Sequence, residues 1–286
     1  MSSRVYSNNL CLSYFEPKQS KILLSKFGVL ADIAPSTRLS WEDIEIIFSD
    51  HFSKNRLVNA EGKTRVVKED GQIINLDLLI KEGGHNRGVF EVNYEGNPRI
   101  IKVVNLDIIQ SMRELYFLSR AIEVGGPKLY GFGITKLQGK KLLFVEMEDL
   151  FHGQDKISLR RLSFLKKLKN KGEFYNKYVN SEFLKKLSLS LANLLFRTLE
   201  KKMNPGDPDL IVSEFGELKW VDFGSWSKVR DVREATINMY FVANYLEAIS
   251  PRDHKEMLKI LFHKIDNSTI LSATEKQNFK KSYIEL

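Results

Sequence analysis

Apolar and polar residues alternate through the first half of the chain and recur at helical spacing through the second. Ile73 to Ile80 is an apolar run broken by Asn75 and Asp77, leading into Lys81-Glu82-Gly83-Gly84-His85-Asn86-Arg87-Gly88. Val89-Phe90-Glu91-Val92-Asn93-Tyr94 alternates, so strand, glycine-rich turn and strand predict a hairpin. Glu95-Gly96-Asn97-Pro98 turns into a third strand, Arg99-Ile100-Ile101-Lys102-Val103-Val104. From about Leu106 to Val124, Ile108, Ile109, Met112, Leu115, Leu118 and Ile122 fall at helical spacing. Beyond Gly125-Gly126-Pro127 come two strands, Lys128 to Ile134 and Leu142 to Met147, with Gly139 turning between them.

The second half is helical. From about Ser158, Leu162, Phe164, Leu165 and Leu168 interleave with Arg160, Arg161, Lys166, Lys167, Lys169 and Lys171, predicting a basic amphipathic helix ended by Asn170-Lys171-Gly172. Ser181 to about Lys202 predicts a longer helix with a core stripe from Phe183 to Leu199. Pro205, Gly206 and Pro208 stop it. Leu210-Ile211-Val212 and Leu218-Lys219-Trp220-Val221 then form a hairpin around Ser213 to Glu217. Three more helices are expected: Arg233 to Ile249, Pro251 to about Ile265, and Ser272 to Tyr283. Residues 1 to about 72 form a separate segment of unassigned role. Within it, Ser40-Trp41-Glu42-Asp43 predicts the capped, acidic start of a short helix, and Lys21 to Leu24 and Thr64 to Val67 are strand candidates. His51, beside Asp50, is expected to be a surface histidine.

Composition narrows the classes. A chain of 286 residues, 43% hydrophobic and 28% charged, buries a full globular core. No run of about 18 apolar residues exists, so no membrane span is expected. Met1 to Asn9 lacks an apolar signal core, which points to the cytoplasm or to export without a cleavable signal peptide. Cys11 is the sole cysteine, so no internal disulfide forms. The net charge of +8 fits either a solvated lysine-rich surface or an anionic partner.

Two groups of residues carry candidate chemistry. Lys102 interrupts an apolar strand, so it either points out from a sheet edge or is a buried ammonium that needs an acid. Glu114, on the following helix, is the acid of suitable position, unless the two are unrelated surface charges. Asp207 and Asp209 precede one strand of the second hairpin, and Asp222 ends the other. Three carboxylates at one end of a hairpin call for a cation such as Mg²⁺, or are a solvated acidic turn.

Asp222-Phe223-Gly224 at a strand end, the glycine turn at Gly83 to Gly88, Lys102, Glu114 and the polar exit Glu146-Met147-Glu148-Asp149-Leu150 together resemble the protein-kinase-like superfamily, from about Ile73 to Ile265. The resemblance implies an α+β, two-lobed fold: an N-lobe with a small antiparallel sheet over 73–148, and a helical C-lobe over 149–286, preceded by the extra segment 1–72. It implies ATP with Mg²⁺. Gly83, Gly84 and Gly88 would lie over the phosphates, Lys102 would hold them and Glu114 would orient Lys102. The linker at Glu146 and Glu148 would meet the adenine, and Asp209 and Asp222 would hold metal. The segment after Gly224 is short, which is closer to compact bacterial small-molecule, lipopolysaccharide-core and effector kinases.

The chain departs from the family pattern twice. His85 stands at the middle glycine position, and Asp209, thirteen residues before Asp222, occupies the place of the metal-binding asparagine. That register puts Asn204 where the catalytic aspartate belongs, whereas a shortened loop makes Asp207 the base. The expected activity is γ-phosphoryl transfer to a hydroxyl of a protein, sugar or small molecule. The alternative is a pseudokinase that binds nucleotide or a partner, with an acidic protein or other anionic partner on the basic helical half. A nucleic-acid partner rests on charge alone, with no stacking-aromatic or zinc motif behind it.

Overall fold

The computed structural model describes residues 63–67, 73–80, 86–94, 97–105 and 107–286, apart from 138, 139, 169, 170, 208, 230 and 231. The expected helix at Ser40 to Phe48, the strand at Lys21 to Leu24, and His51, Gly83, Gly84 and His85 lie outside the described residues. The fold is α+β, and the chain divides into two compact units. One contains the described residues up to Ser119 with Lys128–Asp149; the other contains Arg120–Pro127 and Leu150–Leu286.

The first unit is built on a six-stranded antiparallel sheet in the order β1-β2-β3-β4-β6-β5. Its strands are β1 (Lys63–Val67), β2 (Ile73–Ile80), β3 (Asn86–Tyr94), β4 (Asn97–Asn105), β5 (Leu129–Leu137) and β6 (Lys140–Glu148). β1 pairs with β2 from Lys63 opposite Asp77 to Val67 opposite Ile73, so the sheet starts ahead of Ile73. Helix α1 (Ile108–Ser119) follows β4. Asp107 starts it, its Oδ1 accepting from the Gln110 N–H at 2.9 Å. The helix ends five residues before the expected Val124, because the chain tightens into a 3₁₀ turn, Ala121–Val124, closed by Gly125 at φ 84°. Ile122, counted at sequence level as part of the apolar stripe, is 62% exposed.

The second unit comprises the elements β7 (Lys156–Ser158), α2 (Leu159–Lys167), α3 (Gly172–Tyr178), α4 (Ser181–Glu200), β8 (Met203–Asn204), β9 (Asp209–Ser213), β10 (Leu218–Val221), β11 (Ser227–Lys228), α5 (Val232–Ile249), α6 (Pro251–Asn267) and α7 (Ala273–Glu285). α4 packs on α6, and α5 packs on α2, α6 and α7. Phe183, Leu187, Leu191, Leu195 and Leu199 form the buried stripe of α4, as their four-residue spacing requires. Asn180, Ser250 and Ser272 cap α4, α6 and α7; each accepts a backbone N–H three residues on, and Pro251 occupies the first turn of α6. β7, β9 and β10 form one small sheet, and β8 with β11 another. α2 departs from the expected packing. Leu162 is buried, but Phe164 is 58% and Leu168 40% exposed.

His254, in the first turn of α6, is buried, and its Nε2 has no hydrogen-bond partner among the described residues. Burial pushes its pKa below the ordinary 6.5, against an opposing pull from Glu247. The unfolded chain therefore takes up this proton first. Stability attributable to His254 is full above pH 6.5 and is lost as pH falls through the lower folded value. His254→Gln should flatten that dependence, read as a smaller drop in the urea midpoint between pH 7.5 and 5; an unchanged drop would remove His254 as its cause.

Candidate functional site

β4 lies between β3 and β6, and Lys102 sits opposite Val89 on one side and Val145 on the other. Ile101, Val103 and Val104 around it are buried, so a charged side chain here cannot turn to solvent as an edge residue would. Its Nζ donates to Glu114 Oε1 at 2.6 Å, and both residues are buried. Glu114 reaches it from the face of α1 that also buries Ser111, Leu115 and Leu118, at i−3, i+1 and i+4. The structure thus joins two residues twelve positions apart into one buried ion pair.

Other residues expected at a nucleotide site have different surroundings. Gly88 stands where the β3–β4 register shifts, between the Asn86–Val104 and Gly88–Val103 pairs, which is a place for a residue without a side chain. Glu146 is buried on β6, opposite Ile101 and Gly131. Glu148 is engaged with the start of β5: its Oε2 accepts from the Lys128 N–H at 3.0 Å, and its own N–H donates to the Lys128 carbonyl at 2.9 Å. Within the linker expected to meet an adenine, the Glu148 N–H is therefore already used.

In the second unit, β9 and β10 pair so that Asp209 lies opposite Val221, and Asp222 follows immediately. Trp220, Phe223 and Trp226 on either side of Asp222 are all buried, and their rings pack together. Asp222 is exposed and takes φ 57°, a left-handed conformation that costs a non-glycine residue about 1–2 kcal/mol. Its Oδ1 accepts from the Gly224 N–H at 3.4 Å. Gly126 is small because the Phe223 ring requires it: a Cβ there would come within 2.5 Å of that ring.

Asp207 is brought in by a second close approach. A Cβ at Gly206 would come within 2.2 Å of the Ser225 carbonyl oxygen, and the Asp207 N–H donates to Ser225 Oγ at 2.8 Å. The three carboxylates share one electrostatic environment. The carboxyl of Asp209 is raised above the ordinary aspartate value, chiefly by desolvation and further by the charges of Asp222 and Asp207. The Leu210 N–H, which donates to Asp209 Oδ1 at 2.9 Å, and Arg160 pull it the other way. Among the described residues these three carboxylates do not come together closely enough to share one ion. The expected three-carboxylate site is therefore not assembled, and Asp209 and Asp222, at the end of the β9–β10 ladder, are the pair that strand pairing keeps near each other.

Asn204 lies apart from this group, in β8 opposite Ser227. Its Oδ1 accepts from Asn238 Nδ2 on α5 at 2.8 Å. The roles of Ser225, Asn238 and Arg160 carry no signal in periodicity; only Gly206, flanked by two prolines, marks a loop under constraint. No protein-family model matches the chain, and no curated protein matches it.

Two outcomes follow from this geometry. Lys102→Met leaves Glu114 buried without its ammonium and should cost about 3–5 kcal/mol in urea unfolding, while Lys102→Met/Glu114→Leu should recover most of that loss. A double variant no more stable than the single one would show that the ion pair is not the source. The raised Asp209 carboxyl means that the folded state holds its proton to a higher pH than the unfolded value of 3.8, so this group's contribution to stability falls as pH rises through that window. Asp209→Asn keeps the acceptor for the Leu210 N–H and removes the charge. It should raise the melting temperature at pH 7 in chelator, with the gain vanishing below about pH 3.8; a variant that melts at or below the wild type at pH 7 would show that the Asp209 charge costs the fold nothing.

Proposed function

We propose that the chain is a protein-kinase-like phosphotransferase that binds ATP with Mg²⁺ and passes the γ-phosphoryl group to a hydroxyl acceptor. The observation that carries this reading is the buried Lys102–Glu114 pair at 2.6 Å on a central strand. A buried ion pair adds little to stability compared with apolar side chains of the same volume, so its presence asks for a ligand whose charge the lysine meets. In this role Lys102 takes phosphate oxygens, held in place by Glu114. Asp209 and Asp222 are the carboxylates that would hold Mg²⁺, whose contribution is to neutralise charge building on the phosphate oxygens. The bond from the γ-phosphorus to the bridging oxygen breaks as the acceptor oxygen bonds to phosphorus. The acceptor's proton passes to the exposed carboxylate of Asp207. A two-lobed kinase arrangement belongs to the same proposal.

A second reading, nucleotide binding without turnover, is favoured by Asn204. Its amide cannot accept a proton, and its oxygen is already engaged by Asn238. The two readings share the site and differ in rate, because phosphoryl transfer depends mostly on positioning and charge neutralisation.

Mg²⁺-ATP should raise the melting temperature of the wild type, and both Lys102→Met and Asp222→Ala should remove the rise. Absence of any rise in the wild type would end both readings. Release or transfer of labelled phosphate from γ-labelled ATP, lost in Asp207→Ala while the thermal shift persists, identifies the enzyme; a shift without turnover identifies the binding module.

A further inference from the structure

The chemistry of α2 bears on the acceptor. Its sequence, Leu159-Arg160-Arg161-Leu162-Ser163-Phe164-Leu165-Lys166-Lys167, contains no acid. Leu159, Leu162 and Ser163 are buried, and this inner face packs on α5 and β9. The opposite face carries Arg160, Arg161, Phe164 and Lys167 at spacings of three and four, continued by Leu168 just past the helix end. All are exposed, Phe164 by 58% and Leu168 by 40%. Among the described residues, Arg161 and Lys167 have no ion pair. Large exposed apolar side chains set among unpaired cations are unfavourable for folding alone and suit a surface that is covered in use.

The position of α2 is as specific as its composition. β7, which leads directly into α2, pairs with β9 so that the helix cap Ser158 faces Ile211, two residues from Asp209. The first turn of α2 therefore lies beside the end of β9 that carries Asp209, and Arg160 acts electrostatically on Asp209. The stripe runs outward from that point.

We infer that the outer face of α2 docks an acidic polypeptide, with its apolar side chains against Phe164 and Leu168, and so leads a hydroxyl-bearing segment toward Asp207, Asp209 and Asp222. This names a substrate class for the reaction proposed above and rests on that reading. Charge complementarity selects a chain with spaced acids over an anionic membrane, since a continuous anionic surface would bring further negative charge against the three carboxylates at the end of the stripe.

The test uses the full chain and a fluorescein-labelled peptide of alternating Glu and Leu around one central Ser. The same peptide with Gln for Glu, and vesicles of phosphatidylserine with phosphatidylcholine, serve as comparisons. The acidic peptide should bind by fluorescence polarisation, the binding should weaken as salt is raised, and Arg161→Gln/Lys167→Gln should weaken it about tenfold or more. Phe164→Ser should weaken it independently, and all variants should retain the Mg²⁺-ATP melting shift. Equal binding of the Gln peptide, or binding indifferent to these substitutions, overturns the inference. So does vesicle binding lost in the same variants without peptide binding, which would make the face a membrane contact. A Mg²⁺-ATP shift with no peptide binding sinks the docking role alone. Peptide binding with no Mg²⁺-ATP shift sinks the phosphotransferase reading, and the acceptor role with it.

Discussion

The burial of Trp220 fixes the chemistry at the end of β10. Its indole is fully enclosed, donates to Thr198 Oγ1 at 3.0 Å and meets the Trp226 ring edge-on at 5.3 Å between centroids. Its backbone N–H donates to the Gly125 carbonyl at 3.3 Å. With Trp220 inside, the two-residue period of the strand also buries Leu218, and Phe223 enters the same core with a single residue between it and Val221, where β10 ends. That single residue is Asp222, which must turn the chain at positive φ while remaining at the surface. Each enclosed aromatic contributes about 2–3 kcal/mol of apolar burial, whereas a left-handed residue costs about 1–2 kcal/mol. The aromatics win, and an aspartate is held at an angle that it would not choose alone.

The same arithmetic explains why Asp209 and Asp222 stay near each other. Asp209 is paired opposite Val221 by the β9–β10 ladder, so it cannot move from Asp222 without breaking strand pairing. The Asp209 carboxyl is raised by desolvation first and, after it, by the charges of Asp222 and Asp207. In the other unit, the Lys102–Glu114 pair makes the parallel point. Val89 and Val145 flank a position where valine or isoleucine would satisfy the sheet, and a lysine with a dedicated acid stands there instead. Each unit thus holds charge that packing alone would not select.

What periodicity encodes was legible, and what depends on close approach was not. The strands around Lys102 and Asp222 and the long helices α4, α5 and α6 follow from apolar spacing and from breakers such as Pro205 and Pro251. The Lys102–Glu114 contact was foreseeable because an ammonium in an apolar run demands a partner within reach. The elements β7, β8 and β11 were not, since two or three residues carry no period, and α3 is only two turns long. Ile122 and Phe164 misled for another reason: hydrophobic spacing says which residues could be buried, not which are, and both remain exposed. The contacts of Ser225 with Asp207 and of Asn238 with Asn204 join residues distant in sequence and carry no period.

The loop from Asn204 to Asp209 shows how those contacts restrict chemistry. It is tied at one end by the pairing of Asn204 with Ser227 and at the other by the pairing of Asp209 with Val221. Between the ties, Gly206 packs so closely on the Ser225 carbonyl that any side chain would force the strands apart. A slip of one residue would break both pairings and bring Pro205 or Asp207 against Ser225, so the length of the loop is set by structure and not by drift. Asn204 stays where its amide oxygen meets Asn238, which leaves the exposed Asp207 as the carboxylate of this loop that is free of a strand ladder. A carboxylate in such a position can accept a proton only from an acceptor that approaches from solvent. Under the proposed reaction such a carboxylate gains more from a surface that guides the acceptor than from a stronger base, and the cationic face of α2 is anchored beside β9 through Ser158 and Ile211.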